Sequence, residues 1–170
     1  MKKSKLIIGK SGSGKTERLK SLAENAIQLG HSVCIIESSF REETTPIFEF
    51  LKTKGIEPIS SFLLEVIFLD EFESNPPVCV FTFDEDTFLS RQDLTGPLNE
   101  IFSKFDVILI DGMAGLLTPF IRNDEQDKLI ERLLNFNKEL YITTQVAEEL
   151  QFSESIFEEF KIIKVDRDGR

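Results

Sequence analysis

Eight residues, Gly9-Lys10-Ser11-Gly12-Ser13-Gly14-Lys15-Thr16, carry the chemistry that is easiest to read in this chain. They fit the pattern G-x-x-x-x-G-K-[ST], in which glycines let successive backbone N–H groups curl around an anion. The apolar run Leu6 to Ile8 enters the loop, and a helix-like segment from Glu17 to Leu29 leaves it. A helix start at that point adds positive potential to the cradle. In such a loop the Lys15 ammonium reaches the β/γ-phosphate oxygens and the Thr16 hydroxyl takes one Mg²⁺ position. The expected ligand is therefore ATP with Mg²⁺, bound by Gly9, Lys10, Ser11, Gly12, Ser13, Gly14, Lys15 and Thr16.

Such a site needs a carboxylate at the end of a neighbouring strand, and two runs offer one. Val66-Ile67-Phe68-Leu69 leads to Asp70-Glu71, and Val107-Ile108-Leu109-Ile110 leads to Asp111. A strand ending at Asp70 would leave no room for a crossover helix before the next strand at Val78, whereas nearly thirty residues follow Asp111 before Leu140. Spacing favours Asp111, with Asp70 and Glu71 as solvated charges at a helix end. Glu37 and Gln145 each close an apolar run. Glu37 is a candidate for activating or orienting the attacking water, and Gln145 for sensing the γ-phosphate. His31, alone before a strand, reads as a turn residue.

The elements that must hold these residues alternate. Strands are expected over Lys5–Gly9, Ser32–Ser38, Val78–Phe83, Asp106–Asp111, Leu140–Thr144 and Lys161–Val165. Helices are expected over Thr16–Gly30, Arg41–Lys54, about Gly96–Lys104, Asp124–Phe136 and Glu154–Phe160. The region from Ile56 to Ser74 reads two ways, as a helix capped by Ser60 or Ser61 or as a strand over Val66–Leu69. Asn75-Pro76-Pro77 ends it. The pattern implies an α/β three-layer sandwich with a mainly parallel sheet, and the length of 170 residues implies a single domain over residues 1–170.

The totals narrow the partners. A net charge of −10 disfavours a strong grip on nucleic acid, so DNA contact is expected to be weak or indirect. A solubilising surface or a basic protein partner is the simpler reading, and the expected partner is a protein or, in a homo-oligomer, further copies of the chain. Cys34 and Cys79 lie inside apolar runs and read as buried free thiols without metal-ligand spacing. The sixteen Phe read mostly as core. Lysines near the N-terminus lead straight into a strand rather than a signal-peptide apolar region, and no run is long enough to span a membrane, so the expected location is cytoplasmic.

At this point the chain resembles the RecA-like P-loop ATPases, a group with the recombinases, hexameric helicases and KaiC-type proteins. The matching stretches are GKSGSGKT at 9–16, FDVILIDGMAGLLTP at 105–119, YITTQ at 141–145 and HSVCIIESSF at 31–40. The resemblance implies a P-loop NTPase fold, with phosphate and Mg²⁺ on Lys15 and Thr16, Mg²⁺ on Asp111, a water-polarising Glu37 and a phosphate-sensing Gln145. It departs from the recombinases in lacking their Asp-x-Glu arrangement at Glu37, and in the acidic Glu148 and Glu149 where a DNA-binding loop would lie. A second resemblance, to MinD/ParA-type ATPases, rests on Lys10 and on the run from Asp106 to Gly115.

Under either family the expected activity is ATP hydrolysis that drives or regulates a partner, with DNA processing or transfer as one setting. Catalytic positions are Lys15, Glu37 and Gln145, and a neighbouring subunit would contribute Arg122, Lys164 or Arg167. Rival readings are a small-molecule or nucleotide kinase, for which no Arg-rich lid is visible, and a nucleotide-gated binding subunit with little turnover. The last is motivated by Gly112, which stands directly after Asp111 where a glutamate is absent.

Overall fold

The computed structural model describes residues 4–10, 12–38, 45–62, 78–83, 95–112, 126–135, 137–146, 150 and 152–166. Seven strands form one sheet: β1 (Lys5–Ile8), β2 (Val33–Ser38), β3 (Ile59–Phe62), β4 (Val78–Phe83), β5 (Val107–Asp111), β6 (Glu139–Thr144) and β7 (Lys161–Lys164). Their order is β3-β4-β2-β5-β6-β1-β7, and every neighbouring pair is parallel. Helices are α1 (Lys15–Gln28), α2 (Pro46–Thr53), α3 (Thr95–Ser103), α4 (Gln126–Asn135) and α5 (Glu154–Glu158).

A parallel sheet needs cover on both faces, and the strand side chains divide accordingly. Ile7, Val33, Ile35, Val80 and Leu109 pack with Leu19, Ala23 and Ala26 of α1 and with Ile47 and Leu51 of α2. Leu6, Cys34, Ile36, Phe81, Ile108, Ile110 and Ile142 pack on the other side with Phe102 of α3, with Leu129 and Leu133 of α4 and with Ile156 of α5. The three-layer sandwich is therefore as expected, and the sheet is parallel throughout the described residues. Phe81, Phe102, Phe105 and Phe160 are fully buried, in line with a core role for phenylalanine. Cys34 and Cys79 are buried free thiols facing each other in register across β2 and β4. Burial raises the Cys34 pKa well above the usual thiol range and pushes Cys79 up to about 12, which leaves both unreactive.

One expectation is corrected. Ser60 and Ser61 do not cap a helix. They lie inside β3, which pairs with Cys79 to Thr82 at the sheet edge. Serine satisfies a cap and an edge strand equally well, and the ladder to β4 supplies the backbone partners that decide between them. The stretch Val66 to Asp70 and Glu71, like residues 41–44 at the expected start of the second helix, lies outside the described residues.

Register is set at the far end of the sheet from the loop. The Ser32 N–H and hydroxyl both donate to Asp106 Oδ2, at 3.0 and 3.1 Å, while the Asp106 N–H donates to Ser32 Oγ at 2.9 Å. These hydrogen bonds hold the Asp106 carboxyl below its usual range, with His31 nearby assisting. His31 Nδ1 lies 3.8 Å from Asp106 in the turn before β2, the place its sequence context suggested. The clamp pairs Val33 with Val107, and four residues later this register brings Glu37 level with Asp111.

Candidate functional site

The loop between β1 and α1 is built by close approach. A Cβ on Gly9 would stand 2.4 Å from Ser13 Oγ and 2.6 Å from the Val165 carbonyl oxygen, so only glycine fits there. Gly14 caps α1 with φ 99°, a left-handed conformation that turns the chain directly into the helix. The first N–H groups of an α-helix have no acceptor within the helix, so the N-terminus of α1 brings donors to this loop. The Gly9 N–H donates to the Thr144 carbonyl at 3.1 Å, and the Val165 N–H donates to Ile8 O at 2.8 Å, which ties the loop to β6 and β7. Chain leaving β1 crosses toward β2, whereas chain leaving β6 passes β1 to reach β7. In open α/β sheets ligands sit at strand C-terminal ends where connections depart in opposite directions, and the loop lies at such a place in this sheet.

The Lys15 ammonium, at the N-terminal end of α1, donates to the Gly9 carbonyl and, at 2.9 Å, to the Lys10 carbonyl. Thr16, one residue on, donates its hydroxyl to Asp111 Oδ2 at 3.0 Å, across 95 residues of sequence. The other carboxylate oxygen, Oδ1, accepts from the Thr143 hydroxyl at 2.8 Å, and Thr143 Oγ1 itself accepts from the Gly112 N–H at 2.8 Å. The donor set at Thr16 and Asp111 consists of a hydroxyl and a carboxylate, hard oxygens that fit Mg²⁺. Among the described residues no group of three or more His, Cys, Asp or Glu side chains offers another metal position.

Glu37, the penultimate residue of β2, lies beside Asp111 and is only 2% exposed. Its Oε1 accepts the Ile47 N–H at 3.1 Å, at the first turn of α2. Its Oε2 is buried without a hydrogen-bond partner among the described residues. Burial raises the Glu37 pKa. The nearby Thr45 hydroxyl, the Ile47 N–H and the nearby Phe48 N–H partly offset that rise, and the Asp111 charge adds to it. Gln145 follows β6 with an exposed side chain, at the end of the strand that separates the β1 loop from Asp111. Lys10 and Gly12 are exposed at the loop tip, and Ser13 is buried beneath it.

The fold thus brings Lys15, Thr16, Asp111 and Glu37 to one end of the sheet, with Gln145 on the same edge. Lys164 is exposed at the end of the edge strand β7. Ser11, Arg122 and Arg167 lie outside the described residues, as do Glu148 and Glu149. Sequence reasoning missed Thr143, which a strand run of Tyr-Ile-Thr-Thr presents as a β-former. It also missed the Thr45–Ile47 corner that receives Glu37, and Val165, whose backbone roofs Gly9. Among the described residues no helix is long and apolar enough to cross a membrane.

No family model matches this sequence, and no curated protein is recognisably similar to it. Solved structures are similar in fold. The genome-packaging NTPase B204 of Sulfolobus turreted icosahedral virus 2, in complex with AMPPCP, superposes with a TM-score of 0.60 at 16% identity over 95% of this chain and 74% of that one. The flagellar accessory protein FlaH of Methanocaldococcus jannaschii gives 0.52 at 18% identity over 94% of this chain and 69% of its own. AMPPCP-bound DnaA of Aquifex aeolicus gives 0.53 at 14% identity, over 97% of this chain but 41% of DnaA. Two of these three structures hold an ATP analogue. The loop, the parallel sheet and these likenesses agree: this chain has the α/β P-loop NTPase fold that it shares with these structures.

Proposed function

We propose that this chain binds ATP with Mg²⁺ and hydrolyses it to drive or regulate a partner, either a protein or further copies of itself. The observation that carries the reading is the Thr16–Asp111 hydrogen bond, which joins the phosphate-type loop to a strand-end carboxylate. In this reading the loop N–H groups and the Lys15 ammonium hold the phosphates, and Lys15 exchanges the Gly9 and Lys10 carbonyls for phosphate oxygens. Mg²⁺, when bound, neutralises charge developing between the β- and γ-phosphates. Thr16 would ligate it, with Asp111 holding its water shell. Glu37, through Oε2, which has no hydrogen-bond partner among the described residues, orients or deprotonates the attacking water, and its raised pKa makes it a better base than an ordinary glutamate. Gln145 reads the γ-phosphate from the end of β6. Catalysis of this kind comes from positioning and charge neutralisation.

One observation favours a second reading, a nucleotide-gated subunit with little turnover of its own: Glu37 Oε1 is engaged at the first turn of α2. Release of that contact by a partner would then control the rate. The acidic surface supports a protein partner rather than direct nucleic-acid binding, and DNA processing or transfer remains one setting for it.

Phosphate release from ATP by the purified protein tests the main reading. Wild type is expected to turn over with Mg²⁺ and stop when it is chelated, and Lys15→Ala is expected to lose activity by two orders of magnitude or more, roughly the loss when one strong transition-state donor is removed. Equal turnover in Lys15→Ala would sink the hypothesis. Tight ATP binding without phosphate release would select the gated reading.

A further inference from the structure

We infer that Thr143 is a positioning residue, one that aims the Asp111 carboxylate at Thr16 and so presets the cation position. The inference rests on the Mg²⁺–ATP reading above. A carboxylate at the end of a strand rotates about a broad, roughly two-fold torsion, so β5 alone does not fix which oxygen faces the loop. Thr143 removes that freedom. Its hydroxyl has one proton, and the Gly112 N–H already points at its lone pair from 2.8 Å. The proton is therefore directed to Asp111 Oδ1, at 2.8 Å, and Oδ2 is left facing the Thr16 hydroxyl at 3.0 Å. The donor itself is held still, because Thr143 is fully buried and β-branched within a strand.

The same strand touches the loop one residue later, where the Thr144 carbonyl accepts the Gly9 N–H. Thus β6 fixes the carboxylate and the phosphate-type loop relative to each other, although neither lies on it. Partners that orient the groups around a bound metal commonly change its affinity 10–100-fold. The bland alternative is a buried hydroxyl that merely finds partners, and it predicts an effect on stability alone.

The two separate in a binding titration with a non-hydrolysable ATP analogue, with and without Mg²⁺, on Thr143→Val, Thr143→Ser and Asp111→Asn. The readout is the factor by which Mg²⁺ tightens binding. Thr143→Val should cut that factor about tenfold and leave Mg²⁺-free affinity within about twofold of wild type, and Thr143→Ser should restore it. A folded Thr143→Val with the wild-type factor overturns the proposal while Asp111→Asn still loses it. If the wild-type protein itself shows no tightening by Mg²⁺, both this proposal and the reading beneath it fall. Should Thr143→Val not fold, Thr143→Ser against Thr143→Ala decides in the same way: equal factors in the two overturn it, and loss in Ala alone supports it.

Discussion

Glu37 is where stability and chemistry pull apart most visibly. A carboxylate that is nearly fully buried, with one oxygen on the Ile47 N–H and the other without a partner among the described residues, is costly to ionise. Because its pKa is raised in the fold, the folded state holds this proton more tightly than the unfolded chain does. The linked penalty is absent below the ordinary glutamate value of about 4.3 and grows as pH rises through and beyond it. Glu37→Gln keeps an acceptor for Ile47 and removes the charge. Thermal melts should therefore show the variant more stable than wild type at pH 7, with the difference closing toward pH 4. ATP turnover should fall at the same time if Glu37 serves the attacking water. A variant equally stable at both pH values would contradict this account of the site.

At the scale of elements, the β1–α1 loop is held by what roofs it. Gly9 is squeezed between Ser13 below and the Val165 carbonyl beyond the end of β7. Backbone oxygen cannot swing aside as a flexible side chain would. Gly9→Ala should lose about 1–3 kcal/mol in denaturant unfolding, from the overpacking alone. A loss below a few tenths would mean the β7 end is not held against the loop. The same elements explain what was legible in the sequence. The Gly9–Thr16 loop and the run ending at Asp111 could be read because local pattern encodes them: glycines at fixed offsets, and an unbroken apolar strand. Ile59 to Phe62 could not be, since four residues containing two serines carry no period, and only the ladder to β4 makes them a strand. Thr143 was hidden for a related reason. Its partners, Asp111 and Gly112, are 32 and 31 residues away, and only the β5–β6 register brings them alongside.

Across the whole molecule, one sheet does the assembling. The Ser32–Asp106 clamp at one end sets the register that places Glu37 beside Asp111 at the other. Inserting β6 between β1 and β5 lets Thr143 and Thr144 bind both halves of the site. The likeness to B204, FlaH and DnaA lies in this framework, at 14–18% identity, and it carries the fold rather than the task. A net charge of −10 disfavours a strong grip on phosphate backbones, and the partner we propose is accordingly a protein.

The central claim is that two segments 95 residues apart make one Mg²⁺–nucleotide site. A double-mutant cycle on Thr16→Val and Asp111→Asn, read as the factor by which Mg²⁺ tightens ATP-analogue binding, tests it most directly. The account predicts that each single variant loses most of that factor and that the double variant loses little more. Losses that simply add, or a factor left unchanged by Asp111→Asn, would contradict it.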